Sequence, residues 1–152
     1  MSIYNVHPTQ ITGVSASDLL QIEGLLLHAE LNVSDALGQI LISQNQPIPT
    51  GETGRALVDT GASVCGVDEA AAVRLGLQPV GQTNISGVAG SRIHNIYVAK
   101  VTFPGTPIPA LDLTLAGLDL AGQKLLLLIG RDILRFCVLI YNGPLGCYTL
   151  AF

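Results

Sequence analysis

The segment "RALVDTGASVCGVD" (residues 55–68) places one acidic side chain in an otherwise apolar run. Asp59 directly follows Leu57 and Val58, and the residues Thr, Gly, Ala and Ser come next. Burying a carboxylate among apolar side chains is unfavourable unless the charge is paired or hydrogen-bonded. We therefore expect Asp59 to have a specific task. The sequence contains this Asp-Thr-Gly pattern once, which constrains what that task requires.

The composition indicates a single apolar domain. The chain has 152 residues, of which 49% are hydrophobic and 12% are charged, and a charged fraction of roughly 25% is usual. Its longest apolar run, "LLLLI" at 125–129, is much shorter than the ~18 residues of a membrane-spanning helix. The first ten residues lack the basic and apolar regions of a signal peptide. We therefore expect a cytoplasmic protein that has no membrane span and buries surface against another subunit.

Charge and cysteine usage exclude several classes of function. The net charge is −4 and no basic run occurs, so we expect no nucleic-acid partner. Cys65, Cys137 and Cys147 form neither a zinc-type spacing nor a disulfide framework. Cys137 and Cys147 are equidistant from Asn142 and would face each other across a hairpin there, where packed reduced thiols are favoured over a bridge. The histidines share no metal spacing, so we expect no metal and no cofactor.

Residue patterns predict a chain that is mostly β. Period-two alternation predicts strands in "LLLHAELNV" (25–33) and "ALDLTL" (110–115), and the continuous apolar run "KLLLLIG" (124–130) predicts a strand buried on both faces. "GQILIS" (38–43) reads as a second strand or an extension of the first. Hairpins are predicted with tips at 87–90 and at Asn142-Gly143. The expected fold class is all-β, a barrel or sandwich.

One or two short helices complete the prediction. "DEAAAVRLGL" (68–77) has Asp68 as an N-cap and Gly76 at its end, and "RDILRF" (131–136) is expected to form one or two helical turns. Residues 1–23 lack periodicity and are interpreted as an N-terminal extension of uncertain order. Residues 24–152 are interpreted as the functional domain.

Two motifs carry a resemblance to a known family. "LVDTGAS" (57–63) and "LLIGRDIL" (127–134) resemble the retropepsin-like, or retroviral-type, aspartic proteases and their bacterial or mobile-element relatives. In that family an apolar strand ends in Asp-Thr-Gly-Ala, a glycine-tipped flap follows, and a second apolar stretch ends in Gly-Arg-Asp or Gly-Arg-Asn. All three elements occur here in that order, within residues 24–152. The resemblance implies a closed acid-protease barrel and an aspartic endopeptidase acting on peptides or proteins.

The chemistry of such an enzyme needs two carboxylates. Amide hydrolysis requires a water that loses a proton and a carbonyl oxygen that gains one, and two carboxylates sharing one proton perform both tasks, as is known for aspartic proteases. This chain supplies one motif, so the resemblance implies a homodimer in which each subunit contributes Asp59 at a two-fold axis. The terminal strands, residues 141–152 above all, are candidates for the dimer interface.

The resemblance also assigns residue roles. The catalytic loop is Asp59, Thr60 and Gly61. The substrate would contact the backbone of the loop, the flap tip and one strand end (Ala62, Ser63, Gly87, Val88, Ala89, Gly90, Ile129), with Val64 as a further apolar wall. Structural support would come from Gly130, Arg131 and Asp132.

The partner of Arg131 is open at this point. The matching arginine of many relatives pairs with an aspartate at the position of Ser63. Arg131 would then pair instead with the partner's Asp132, or with Asp68 or Glu69.

Other interpretations of the motif remain. Asp59 can simply form a turn through an Asx hydrogen bond, in a purely structural β-barrel. A retropepsin fold without turnover would be a peptide-binding or dimerisation module. A serine nucleophile at Ser63 is excluded, because no G-x-S-x-G pattern surrounds it.

Overall fold

The computed structural model describes residues 2–87 and 90–152. Within them the chain forms ten strands and four α-helices. The strands are β1 Ile3–Val6, β2 Leu25–Val33, β3 Glu52–Val58, β4 Gly66–Asp68, β5 Gly81–Gly87, β6 Gly90–Thr102, β7 Leu111–Leu118, β8 Leu127–Ile129, β9 Val138–Asn142 and β10 Cys147–Ala151. The helices are α1 Ala16–Glu23, α2 Asp35–Ser43, α3 Glu69–Arg74 and α4 Arg131–Leu134, with a 3₁₀ turn at Ala121–Gln123.

Two sheets organise the strands. A seven-stranded sheet has the order β2-β3-β8-β4-β7-β6-β5, and β2 pairs additionally with β6. A three-stranded sheet has the order β1-β10-β9. The mostly β fold predicted from the residue patterns is therefore confirmed, with more helix than expected.

Alternation along the strands builds the core. In β2 the side chains of Leu27, Ala29 and Leu31 are buried while His28 is exposed, because successive residues of a strand face opposite sides. The short strand β8 runs parallel to β3, with Val58 opposite Ile129. In β8 Leu127 and Ile129 are buried and Leu128 is half-buried, as the continuous apolar run at 124–130 predicts.

The two predicted helices are present. In α3 the side chain of Asp68 accepts a hydrogen bond from the backbone N–H of Ala71, which makes Asp68 the N-cap. Gly76 follows the helix with φ +75°, a left-handed conformation that favours glycine. Arg131–Leu134 form a single helical turn, α4.

The interpretation of "GQILIS" as a strand is wrong. These residues belong to helix α2, which begins where the side chain of Ser34 accepts a hydrogen bond from the N–H of Leu37. The β-branched residues Ile40 and Ile42 favour a strand locally, but they are 51% and 62% exposed on the helix surface. The serine cap followed by an acidic first turn was the available signal for this helix, and it was not weighed.

The N-terminal residues are ordered where the structure describes them. Strand β1 pairs with β10, and helix α1 starts at the N-cap Ser15 and buries Leu19 and Leu20. The division of the chain at residue 23 stays a prediction.

The C-terminal hairpin is confirmed, but its cysteines do not face each other. Cys147 pairs with Asn142, and Ala151 pairs with Val138. The turn therefore lies beyond Asn142 rather than being centred on it, and the expectation that Cys137 lies opposite Cys147 is wrong. The three cysteines carry free thiols.

The described helices are all short. In the parts of the chain that the structure describes, no helix has the length and apolar character needed to cross a membrane.

Candidate active site

Asp59 lies where two parallel strands end together. Strand β3 ends at Val58, and the backbone N–H of Asp59 donates to the carbonyl oxygen of Ile129 at 3.0 Å. Because β3 and β8 are parallel neighbours, their carboxyl ends meet at one edge of the sheet. The fold thus brings "DTGAS" and "IGRD", some seventy residues apart in sequence, into direct contact.

The two carboxylate oxygens of Asp59 differ in their hydrogen bonding. Its Oδ1 accepts a hydrogen bond from the N–H of Gly61 at 2.8 Å, which is the Asx geometry of a turn. None of the described residues donates to Oδ2. Asp59 is half-buried, while Thr60 and Gly61 are exposed. The turn interpretation is therefore correct as local geometry, and it leaves the second carboxylate oxygen without a hydrogen-bond donor among the described residues.

Two glycines allow this close packing. A Cβ on Gly61 would lie 3.0 Å from Oδ1 of Asp59, and a Cβ on Gly130 would lie 2.5 Å from the carbonyl carbon and oxygen of Val64. Gly130 is buried against the backbone after the loop that begins at Asp59, where any side chain would push the two segments apart. The support role of Gly130 stays a prediction, to which this packing lends a physical basis.

Arg131 contacts the loop that carries Asp59. Its backbone N–H donates to the carbonyl oxygen of Ala62 at 3.0 Å, and its Nη1 donates to the carbonyls of Thr60 at 2.8 Å and Gly61 at 3.0 Å. Within the chain, the expected pairing with an acidic side chain at 68 or 69 is therefore wrong. The short helix α4 directs the guanidinium to the nearer loop carbonyls instead.

Asp132 binds the far end of the same loop. Its Oδ2 accepts from the backbone N–H of Cys65 at 2.9 Å, and its Oδ1 accepts from the Cys65 thiol at 3.0 Å and from the N–H of Ile133 at 3.0 Å. Burial, followed by the hydrogen bond to Asp132, raises the pKa of Cys65 to about 12. No spacing rule in the sequence pointed to Cys65 as part of this site.

The residues predicted to contact substrate differ in their exposure. Ala62 is half-buried, and Ser63 and Val64 are exposed beside Asp59, with Val64 39% exposed. Ile129 is only 7% exposed and packs in the core. Its contact with substrate therefore stays a prediction.

The flap hairpin is present, and part of its tip can be placed. Strands β5 and β6 pair along their length, with Gly87 opposite Gly90. Val88 and Ala89 lie outside the described residues. Among the residues that are described, the hairpin makes no hydrogen bond to residues 59–63, so its role as a cover for substrate stays a prediction.

A polar network at the base of this hairpin was not foreseen. Oε1 of Glu69 accepts hydrogen bonds from Asn95 Nδ2 and from the Tyr97 hydroxyl, each at 2.8 Å. These two bonds hold the pKa of Glu69 below its usual value. Polar residues spaced two apart on β6 share a face, which was the available signal.

Among the described residues, the side chains that could bind a metal ion do not form a metal-binding cluster. Within residues 2–87 and 90–152, His, Cys, Asp and Glu side chains form no group of three or more suited to bind a metal ion. A cavity of about 230 Å³ lies elsewhere, between the N-terminal segment and β2–β3, and includes His7, His28 and Arg55 in its lining. Asp59 is not part of its wall.

The comparisons with known proteins agree with the motifs. The family model described as aspartyl protease matches residues 48–133, more than half of the chain. The chain therefore belongs to the aspartyl protease family. The family resemblance inferred from "LVDTGAS" and "LLIGRDIL" is confirmed. The solution structure of the simian foamy virus (mac) protease is similar at 15% identity and a TM-score of 0.46, over 73% of this chain and 92% of that one. The curated proteins contain no significant match.

Proposed function

We propose that this protein is a homodimeric aspartic endopeptidase whose active site combines Asp59 from both subunits. The observation that carries the proposal is the Asp59 carboxylate, whose Oδ2 has no donor among the described residues, on a loop contacted by "IGRD". Membership of the aspartyl protease family supports it. A single motif per chain supplies half of the required pair, and a two-fold axis supplies the other half.

Two Asp59 carboxylates would share one proton. The ionised carboxylate takes a proton from a water, the water attacks the peptide carbonyl carbon, and the protonated carboxyl donates to the carbonyl oxygen. The N–H of Gly61 keeps each carboxylate oriented. The hairpin of β5 and β6 covers the bound peptide and excludes water. The additional pairing of β2 with β6 supports the predicted closed barrel.

The dimer would form through the three-stranded sheet. Strand β10 is paired on both sides, so among the described strands the sheet edges belong to β1 and β9. Ile3, Val138 and Ile140 are 63%, 51% and 56% exposed there, and Ile3 and Val138 both lie opposite Ala151. Strand β9 closely follows α4, which contacts the loop of Asp59. A second copy covering this surface would thus bring the two loops together.

The experiment compares Asp59→Asn with wild type on a peptide library between pH 3 and pH 8. Loss of one acid–base group lowers the rate by roughly 10²–10⁴-fold. Asp112→Asn, an exposed substitution on β7, is the matched control and should cleave like wild type. Equal cleavage by wild type and Asp59→Asn contradicts the proposal. If neither cleaves but both bind peptides, the chain is a peptide-binding module instead. The predicted cytoplasmic location stays a prediction.

A further inference from the structure

Arg131 carries an exposed positive charge directly beside the candidate catalytic loop. Its Nη1 is held by the carbonyl oxygens of Thr60 and Gly61 at 2.8 and 3.0 Å. These two residues follow Asp59 immediately, so the guanidinium has a fixed position relative to the carboxylate. Its other nitrogens, Nε and Nη2, have no acceptor among the described residues.

Among the residues that the structure describes, no carboxylate forms an ion pair with Arg131. The ion pairs of the described residues join Arg74 to Glu52 and Lys100 to Asp35. The neighbouring carboxylate, Asp132, is directed to Cys65 and Ile133 instead. Neutral carbonyl oxygens orient a guanidinium but leave its net charge in place.

We propose that Arg131 selects peptide substrates that carry an acidic side chain close to the scissile bond. This inference rests on the proposed peptidase function. A substrate strand bound along residues 60–63 passes the guanidinium, whose free nitrogens present the planar, two-donor edge that suits a carboxylate. In the dimer, one Arg131 lies on each side of the reacting pair, so an acidic residue is favoured on either side of the bond.

Ser63 provides the most specific way to test this. It follows Ala62, whose carbonyl oxygen accepts the backbone N–H of Arg131 at 3.0 Å, and it is exposed. In Ser63→Asp the new carboxylate competes for the guanidinium, whereas Ser63→Asn introduces a side chain of the same shape without charge. The difference between these two variants isolates charge from size.

The experiment measures kcat/KM for matched peptides that carry Glu or Gln at each position around the cleaved bond. A charge-assisted contact at a partly exposed site corresponds to roughly a tenfold preference for Glu. We expect this Glu/Gln ratio in wild type and Ser63→Asn, and a ratio near one in Ser63→Asp and Arg131→Gln. The preference should appear mainly in KM and weaken at high salt. Arg135→Gln, which removes a neighbouring cation located over the Phe136 ring, should keep the wild-type ratio.

Binding of the same peptides to Asp59→Asn protein separates the two proposals. Cleavage without a Glu preference overturns the role of Arg131 and leaves the peptidase intact. Arg131-dependent binding of acidic peptides without cleavage by wild type overturns the peptidase and keeps the recognition. If wild type shows no Glu preference and Arg131→Gln abolishes dimerisation, the guanidinium binds the partner subunit and the proposal is overturned. Absence of both binding and cleavage contradicts both proposals.

Discussion

Asp132 accepts hydrogen bonds from both the backbone N–H and the thiol of Cys65, at 2.9 and 3.0 Å. Arg131, the preceding residue, binds the carbonyls of Thr60 and Gly61. Two consecutive residues of α4 therefore fix the two ends of the loop that begins at Asp59. The position of the carboxylate depends on this helix as much as on strand β3.

Removing the Asp132 carboxylate should loosen the loop. Asp132→Ala leaves the N–H of Cys65 without its acceptor, which costs about 1–3 kcal/mol of unfolding free energy. Urea unfolding monitored by circular dichroism measures the change. Asp119→Ala, an exposed acidic position, is the control and should stay within about 0.5 kcal/mol of wild type. Equal stability of both variants would contradict the role assigned to Asp132.

The thiol of Cys65 should resist alkylation in the folded protein. It is 1% exposed and burial raises its pKa to about 12, whereas the reactive species is the thiolate. At pH 8, mass spectrometry after iodoacetamide treatment should find Cys65 unmodified while the half-buried Cys147 reacts. In urea all three cysteines should react. Modification of Cys65 at the rate of Cys147 without denaturant would show that the loop packing is incorrect.

The stability associated with Cys65 also has a defined pH dependence. Its folded pKa lies above the unfolded value of about 8.5, so the neutral thiol is favoured in the fold. The neutral Cys65 thiol therefore makes its full contribution to the free energy of unfolding below the unfolded-state pKa. That contribution is lost as the pH rises from the unfolded-state pKa toward the folded-state pKa. Cys65→Ala should remove this alkaline loss, which unfolding curves at pH 8 and pH 10 would detect.

Glu69 should stabilise the base of the flap hairpin in a pH-dependent way. Hydrogen bonds from Asn95 and then Tyr97 lower the pKa of Glu69, so its contribution is present above the unfolded pKa of about 4.3 and is lost as the pH falls through the lower folded value. Glu69→Ala leaves the Tyr97 hydroxyl, on a residue 1% exposed, without its acceptor and costs about 1–3 kcal/mol at pH 7.

A double-mutant cycle with Tyr97→Phe tests the Glu69 pair. The cost of Glu69→Ala should be smaller in the Tyr97→Phe background, because no hydroxyl is then left without an acceptor. Additive costs at pH 7 would show that the two side chains are not coupled.

Gly130 should tolerate no side chain. The Cβ of Gly130→Ala would lie 2.5 Å from backbone atoms of Val64, and relieving such an overlap costs about 1–3 kcal/mol. Gly122→Ala is the matched control, because nothing lies within 4 Å of its added Cβ. In thermal unfolding, Gly130→Ala should have a clearly lower Tm than Gly122→Ala. A Gly130→Ala protein as stable and as active as Gly122→Ala would contradict the packing of "IGRD" against the loop.

Sequence reasoning predicted the parts of the site that depend on local patterns. The apolar strands ending at Asp59 and at Gly130 were recognisable, and so was the capped helix after Asp68. Helix α2 was missed because Ile40 and Ile42 favour a strand locally, while the decisive contact, the Ser34 cap, was not weighed. Helix α1 was missed because residues 1–22 show no periodicity.

The contacts of Arg131 and Cys65 could not be predicted. They depend on the three-dimensional path of the loop at 60–65, and no residue spacing encodes which carbonyl a long side chain reaches. The same limit applies to the C-terminal hairpin, where the expected pairing of Cys137 with Cys147 depended on the exact residue at which the turn begins.

The most direct test of the central claim is the activity of mixed dimers. Wild-type and Asp59→Asn subunits are dissociated, mixed in equal amounts, reassociated and assayed for peptide cleavage. If the active site needs Asp59 from both subunits, random pairing leaves about one quarter of the activity of an equal total amount of wild-type protein. If each subunit carries a complete site, half of the activity remains, and that result would contradict the shared catalytic pair.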